Sequence, residues 1–298
     1  MRPVRTVVAA VDLSPGSEAA LVRAATLAAR AEAALHVVHA DETPSDGLRR
    51  ALGDFVDTAL GLGTADSDAS VRLAVVQGRT VPAAVIQYGR DVDTDVLITG
   101  TRGKSGVDRL LVGSVAEALV ASAPWPVLTV PTCAEAHEPS PEAPVLVAVD
   151  FDGLAEAALR AGRALADLHG APLELVHVVR ERGPYLGLSR RALSLNEVEP
   201  EWAAEVRQRL SRLSPLSDLH ADAVHVSLGA SSRQVTAVAD AVDAGAIVLA
   251  THGRRGVAHA MLGSTAEATL RRARCAVLTV HAGTVGKPGT VRRSAIAA

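Results

Sequence analysis

The sequence predicts an α/β fold built as two tandem, doubly wound domains, each a five-stranded parallel sheet with helices on both faces. Three observations carry this. Short apolar runs of four to six residues alternate with longer stretches of helical periodicity. The second half repeats the first. Nearly half of the 298 residues are apolar (48%), yet Phe, Trp and Tyr make only 2%. Such a core must be made of Ala, Val and Leu, which suits parallel strands covered on both faces by small-residue helices.

Residues 6–11 (Thr-Val-Val-Ala-Ala-Val) form a continuous apolar run ending at Asp12, the pattern of a buried parallel strand. Ser14 and Pro15 then supply an N-cap and a first helical residue, and the helix runs to about Glu32. A second strand follows at residues 35–39, and an acidic, Pro-containing turn at 41–46 leads into a helix ending near Leu62. Residues 71–76 alternate into a third strand stopped at Gln77-Gly78, and a helix from Val81 to Tyr88 precedes the fourth strand at 96–99. A glycine-bearing loop, a helix at 115–120 and a strand at 127–130 complete the order β-α-β-α-β-α-β-α-β. Right-handed crossovers turn that order into an open parallel sheet.

Residues 132–143 contain two prolines, with Pro131 and Pro144 on either side, and no apolar periodicity, and read as a linker between domains at 1–131 and 144–282. The repeat then runs at an offset of 138 for Asp12 and Asp150, and of 150 for Gly113 and Gly263. About twelve inserted residues are therefore expected between the second and fourth strands of the second domain, at 181–191. Residues 283–298, rich in Gly, basic and small residues, are expected to be disordered.

Several function classes fall away. A formal net charge of −3 offers no long-range attraction for nucleic acid, and few aromatics are present to stack on bases. Two cysteines, Cys133 and Cys275, give neither a disulfide framework nor a metal-ligand set. The first apolar run is too short to span a membrane and fits a strand better than a signal peptide, so a cytoplasmic location is the default. His39 and His177 recur at the end of the second strand as structural residues, and Trp125 and Trp202 read as packing.

The loop after the fourth strand is built for an anion. Residues 100–114 place Gly100, Gly103 and Gly113 between a strand and a helix, and the first amides of that helix have no intrahelical partner. In an open parallel sheet the ligand crevice lies where strand order reverses, between the first and fourth strands. Asp12 then faces this loop, able to accept hydrogen bonds from a ribose hydroxyl while the loop amides and Ser114 hold phosphates. The plainer alternative is a turn or helix-capping carboxylate. The loop is not a Walker A motif, since Ile98 stands where its first glycine would be, and no G-x-G-x-x-G follows a first strand. Arg102, Lys104, Arg254 and Arg255 are either phosphate partners or solvated loop charges.

The spacing Gly100-x2-Gly103-x9-Gly113-Ser114, with Asp12-x-Ser14 at the end of the first strand, resembles the ATP-binding signature of the universal stress protein family. The whole chain resembles its tandem two-domain members. The resemblance implies strand order 3-2-1-4-5 and a regulatory protein of stress adaptation that binds ATP, with or without Mg²⁺. It implies a first site of Ala10, Asp12, Ala40, Gly100, Thr101, Arg102, Gly103, Lys104, Gly113, Ser114 and Val115, with Asp12 on the ribose, Ala40 near the adenine and the glycines and Ser114 on the phosphates. The matching second set is Ala148, Asp150, Val178, Ala250, Thr251, His252, Gly253, Arg254, Gly263, Ser264 and Thr265, in which Ala250 replaces a glycine and Asp152 replaces Ser14. In the family the last strands pair, which implies an internal pseudo-dimer and leaves a homodimer open. No nucleophile, base and orienting group can be assembled. The alternatives are a slow ATPase or phosphotransferase helped by Asp108 or Glu117, and a nucleotide-free partner-binding scaffold.

Overall fold

Continuous apolar runs become strands buried on both faces: Val7, Val8 and Ala9, and likewise Val37 and Ile98, have essentially no exposed surface. The computed structural model describes residues 3–42, 45–61, 71–101, 112–132, 138–151, 154–179, 193–194, 200–211, 223–251 and 262–281. The first half contains β1 (Thr6–Ala10), α1 (Pro15–Arg30), β2 (Ala34–Ala40), α2 (Asp46–Leu60), β3 (Val71–Val76), α3 (Val81–Asp91), β4 (Val96–Gly100), α4 (Ser114–Ser122) and β5 (Val127–Val130). The second contains β6 (Val145–Ala148), α5 (Ala155–His169), β7 (Leu173–Val179), β8 (Leu193–Ser194), α6 (Pro200–Ser211), β9 (Val224–Leu228), α7 (Ser231–Ala241), β10 (Ala246–Thr251), α8 (Ser264–Arg272) and β11 (Ala276–His281). The expected third strand and last strand of the first half agree residue for residue. Several helices run further than their apolar periodicity, as α3 does past Tyr88 to Asp91.

The strands form one sheet in the order β3-β2-β1-β4-β5-β11-β10-β6-β7-β9-β8. Each half is a parallel sheet of order 3-2-1-4-5, as expected, with one addition. The two-residue β8 pairs antiparallel with β9, Leu193 opposite Leu228 and Ser194 opposite Ser227. By the third strand the repeat offset has already reached 151 (Ala74 against His225, each paired to the second strand), so the extra residues lie between β7 and β9. Residues 181–191, expected to carry them, and the tail at 283–298 lie outside the described residues.

The halves meet where β5 and β11 pair antiparallel, with Leu128 opposite Leu278 and Thr129 opposite Val277. Leu278 is the repeat counterpart of Leu128, so a local pseudo-twofold axis passes through that pair. The Thr129 hydroxyl donates to the Val277 carbonyl at 3.1 Å. One apolar layer, under α1, α2, α5 and α6, and a second, under α3, α4, α7 and α8, each draw residues from both halves. Trp125 packs across Gly89 of α3, where a Cβ would lie 2.6 Å from its ring.

The end of the linker is held between the halves. Glu138 pairs with the buried Arg23 of α1 at 3.0 Å, and a Cβ on Gly245 would meet the Pro139 nitrogen at 2.3 Å. Gly245 in turn donates its N–H to the Pro144 carbonyl at 3.0 Å. His169, the last residue of α5, is buried beside this strand of linker. Burial, then the positive charges of Arg30 and Arg23, push its pKa down to about 4, against a hydrogen bond to the Pro139 backbone.

The close approach of α1 to β4 explains Gly100. A Cβ there would lie 2.7 Å from the Gly16 carbonyl oxygen, a backbone atom that cannot swing aside. In the second half the corresponding position is Ala250, which packs half-buried against the core.

Gly100→Ala is expected to lose about 1–3 kcal/mol of stability in urea unfolding through overpacking. Ala250→Gly should cost only about 0.5–1 kcal/mol through chain entropy; equal effects would contradict the packing account. Because the folded state holds His169 neutral, the unfolded chain binds the extra proton between pH 6.5 and about 4. Stability from this group is therefore complete above pH 6.5, falls as pH drops to about 4, and changes no further below. His169→Gln should unfold with a pH dependence flatter by about 2–3 kcal/mol across that interval, measured by urea midpoints. Parallel curves for the variant and the wild type would contradict it.

Candidate nucleotide site

The strand order reverses between β1 and β4, which lie side by side with Ala10 opposite Thr99. A crevice at the carboxyl end of a parallel sheet belongs at that point. Val11 is tied on both sides to β2: its N–H donates to the Val38 carbonyl at 2.9 Å, and its own carbonyl accepts from Nδ1 of His39 at 2.8 Å. The same bonds recur in the second half, Val149 to Val176 at 2.9 Å and His177 Nδ1 to the Val149 carbonyl at 2.8 Å. His39 and His177 therefore fasten the end of the first strand to the second, and so turn Asp12 and Asp150 out of the sheet.

The turn at Asp12 is built from short polar side chains. Oδ1 of Asp12 accepts from the Ser14 N–H at 3.1 Å and from the Ser14 hydroxyl at 2.5 Å. Ser17 Oγ accepts from the N–H groups of Asp12 and Ser14 at 3.3 and 3.2 Å and donates to the Ser14 carbonyl at 2.9 Å. Between them Leu13 takes φ 60°, a left-handed conformation that a branched residue adopts only at a cost. The turn-carboxylate reading of Asp12 thus holds for Oδ1. Asp150 is exposed, and the place of Asp152 is outside the described residues.

Across the crevice, Thr101 donates its N–H to the Val130 carbonyl at 3.0 Å, and its own carbonyl accepts from the Gly113 N–H at 2.7 Å. These bonds join the two ends of the loop. Gly113, at φ −62°, is the N-cap of α4 and brings no side chain to cap it; the first helical bond is from Glu117 N–H to the Gly113 carbonyl at 3.0 Å. The amides of Ser114, Val115 and Ala116 are therefore left for an outside acceptor. The second half repeats this with Gly263 at φ −60° and Glu267 N–H to the Gly263 carbonyl at 3.0 Å. Nothing lies within 4 Å of where a Cβ on Gly263 would stand, so packing does not require that glycine. Ser114, Gly263 and Ser264 are exposed, Gly113, Val115 and Thr265 half-buried.

Ala10 is buried, whereas Ala40, Gly100, Ala148, Val178 and Ala250 are half-buried at strand ends, and Thr101 and Thr251 are buried. Arg102, Gly103, Lys104, Asp108, His252, Gly253, Arg254 and Arg255 lie outside the described residues. Glu117 faces the other half: its Oε1 accepts from Nη2 of Arg271 at 3.0 Å, and Arg271 also reaches Glu267 at 2.6 Å. The two crevices differ further in that Phe151 replaces Leu13. Its ring packs on His177 with centroids 4.5 Å apart, and the Arg209 guanidinium sits 4.2 Å over it.

Sequence reasoning passed over Arg271 and His281. Nδ1 of His281 lies 2.8 Å from the Thr251 hydroxyl and Nε2 lies 2.7 Å from the Val120 carbonyl. Both residues break the repeat, standing opposite Ala121 and Pro131, and that departure was the available signal.

A sequence profile described as the universal stress protein family matches residues 3–131 and 143–281. Curated relatives include two universal stress proteins of Mycobacterium tuberculosis. One is 29% identical over 294 residues, covering 92% of this chain and 96% of the relative. The other is 26% identical over 223 residues, covering 72% and 68%. Among solved structures, a universal stress protein from Pseudomonas aeruginosa superposes with a TM-score of 0.67 at 19% identity, covering 93% of both chains. One from Archaeoglobus fulgidus does so at 0.55 and 20% identity, covering 93% of this chain and 98% of that one. The structural likeness speaks to the fold, and the twofold profile match to descent: the chain belongs to the universal stress protein family and carries its domain twice.

Proposed function

We propose that this protein is an ATP-binding regulator of stress adaptation in the cytoplasm, with one nucleotide site in each half. The observation that carries the reading is the pair of helices, α4 and α8, capped only by glycine at the strand 1/strand 4 crevice. Their first-turn amides and the positive end of the helix dipole suit phosphate oxygens, and the open space at Gly263 leaves room for them. In this reading Gly100, Thr101, Gly113, Ser114 and Val115 hold the triphosphate in the first site, with Arg102, Gly103 and Lys104 of the loop. Asp12 meets the ribose and Ala10 and Ala40 border the adenine. Asp150, Ala148, Val178, Ala250, Thr251, Gly263, Ser264 and Thr265, with His252, Gly253 and Arg254, do the same in the second, and Mg²⁺ accompanies the triphosphate. The domains are 1–131 and 144–282, and they act as an internal pseudo-dimer through β5 and β11. Glu117, engaged with Arg271, favours binding over turnover.

Calorimetric titration of the full chain with ATP is expected to give two binding events. Gly113→Val and Gly263→Val should each remove one of them, weakening it at least tenfold. Gly263→Val, in open space at φ −60°, should leave stability within about 1 kcal/mol of wild type, so its loss of binding is not a loss of fold. Absence of binding at millimolar ATP, or unchanged titration in the double variant, would sink the reading.

A further inference from the structure

The Val120 carbonyl is an orphan of α4. In a helix it would accept from the N–H four residues on, but that residue is Pro124, which has none. The missing donor comes from the other half of the protein. A carbonyl only accepts, so Nε2 of His281 carries the proton and donates to Val120 at 2.7 Å. In the neutral ring Nδ1 is then the acceptor, and the Thr251 hydroxyl donates to it at 2.8 Å. Burial holds the His281 pKa below the usual histidine value against the opposing Val120 bond, which favours the neutral ring.

Thr251 is the last residue of β10, next to Ala250 and at the root of the second crevice. Its hydroxyl is thus oriented by a ring whose other nitrogen is anchored in the first half. The first crevice has no such arrangement, because the residue matching His281 is Pro131, and Arg274, matching Pro124, keeps its N–H. We infer that His281 is a positioning residue for the second crevice: by capping α4 of the first half and holding the Thr251 hydroxyl, it makes the phosphate wall of the second site depend on the seam with the first. This rests on the nucleotide reading for its ligand but not for its geometry.

The test uses the full chain carrying Gly113→Val, so that ATP titration reports the second crevice, with His281→Phe, His281→Gln, Thr251→Val and the Phe/Val double variant. His281→Phe and Thr251→Val should each weaken ATP binding about five- to thirtyfold, and the double variant no more than either alone, as expected for two members of one link. Gln carries a donor for Val120 and an acceptor for Thr251, and should bind within threefold of its parent. In a Gly263→Val background, His281→Phe, which there removes only the far cap of α4, should weaken binding at the first crevice by a smaller factor than at the second. Unchanged affinity, additive losses, or equal losses at both crevices would overturn the inference. Amide hydrogen exchange without ligand gives an independent reading: residues 246–251 should exchange at least fivefold faster in His281→Phe, with residues 6–10 unaffected. If wild type binds no ATP, the nucleotide reading fails, while unaltered exchange at 246–251 would still overturn the positioning role.

Discussion

A parallel sheet ends in a strand whose outer hydrogen-bonding groups have no partner, and the pairing of β5 with β11 removes that edge from both halves at once. Everything between the halves is arranged around this join. Leu128 and Leu278 stand opposite each other at its centre, and the two apolar layers continue across it. Arg271 and His281 of the second half address α4 of the first, while Thr129 of the first half reaches only the β11 backbone of the second. The join is symmetric in its backbone and asymmetric in its side chains.

The crevices depend on a smaller set of bonds repeated in each half. His39 and His177 each hold a strand-end carbonyl at 2.8 Å, so the aspartate that follows is presented by a fixed backbone. Beyond that common frame the sites diverge. The first has a Ser14 and Ser17 cradle under Asp12 and a loop closed by the bond from Gly113 to Thr101. In the second, Phe151 packs between His177 and Arg209. Two crevices of one ancestry thus have different surroundings.

Much of this was legible in the sequence because parallel strands buried on both faces read as unbroken apolar runs. That is why residues 127–130 were bounded correctly, whereas 71–76, half-exposed along most of its length, was read from alternation and the Gln77-Gly78 stop. Helix ends were harder: α3 continues past Tyr88 through polar residues that make no apolar pattern. A two-residue strand such as β8 has no periodicity at all. Topology and glycine spacing pointed to the β1/β4 crevice, but the reason for a given glycine was not legible. Gly100 looked like room for an anion, whereas the atom nearest its missing side chain is the Gly16 carbonyl, about 85 residues earlier in the chain. Gly263 is the opposite case, a glycine that no packing contact among the described residues requires. The side-chain bonds of Arg271 and His281 to the first half escaped because they depend on residues that depart from the repeat, as His281 departs from Pro131.

The join also sets a schedule for folding. β5 is complete at residue 130 and its partner begins at Val277, so the first half must present an uncovered edge while the rest of the chain is made. At about 5–20 residues per second, that interval is roughly 7–30 s during synthesis. A four-residue strand exposes few pairing groups over that time, and a longer one would offer a better template to neighbouring chains. The brevity of β5 limits that exposure, and β11, six residues long and the last of the described strands, can form against an edge already waiting for it.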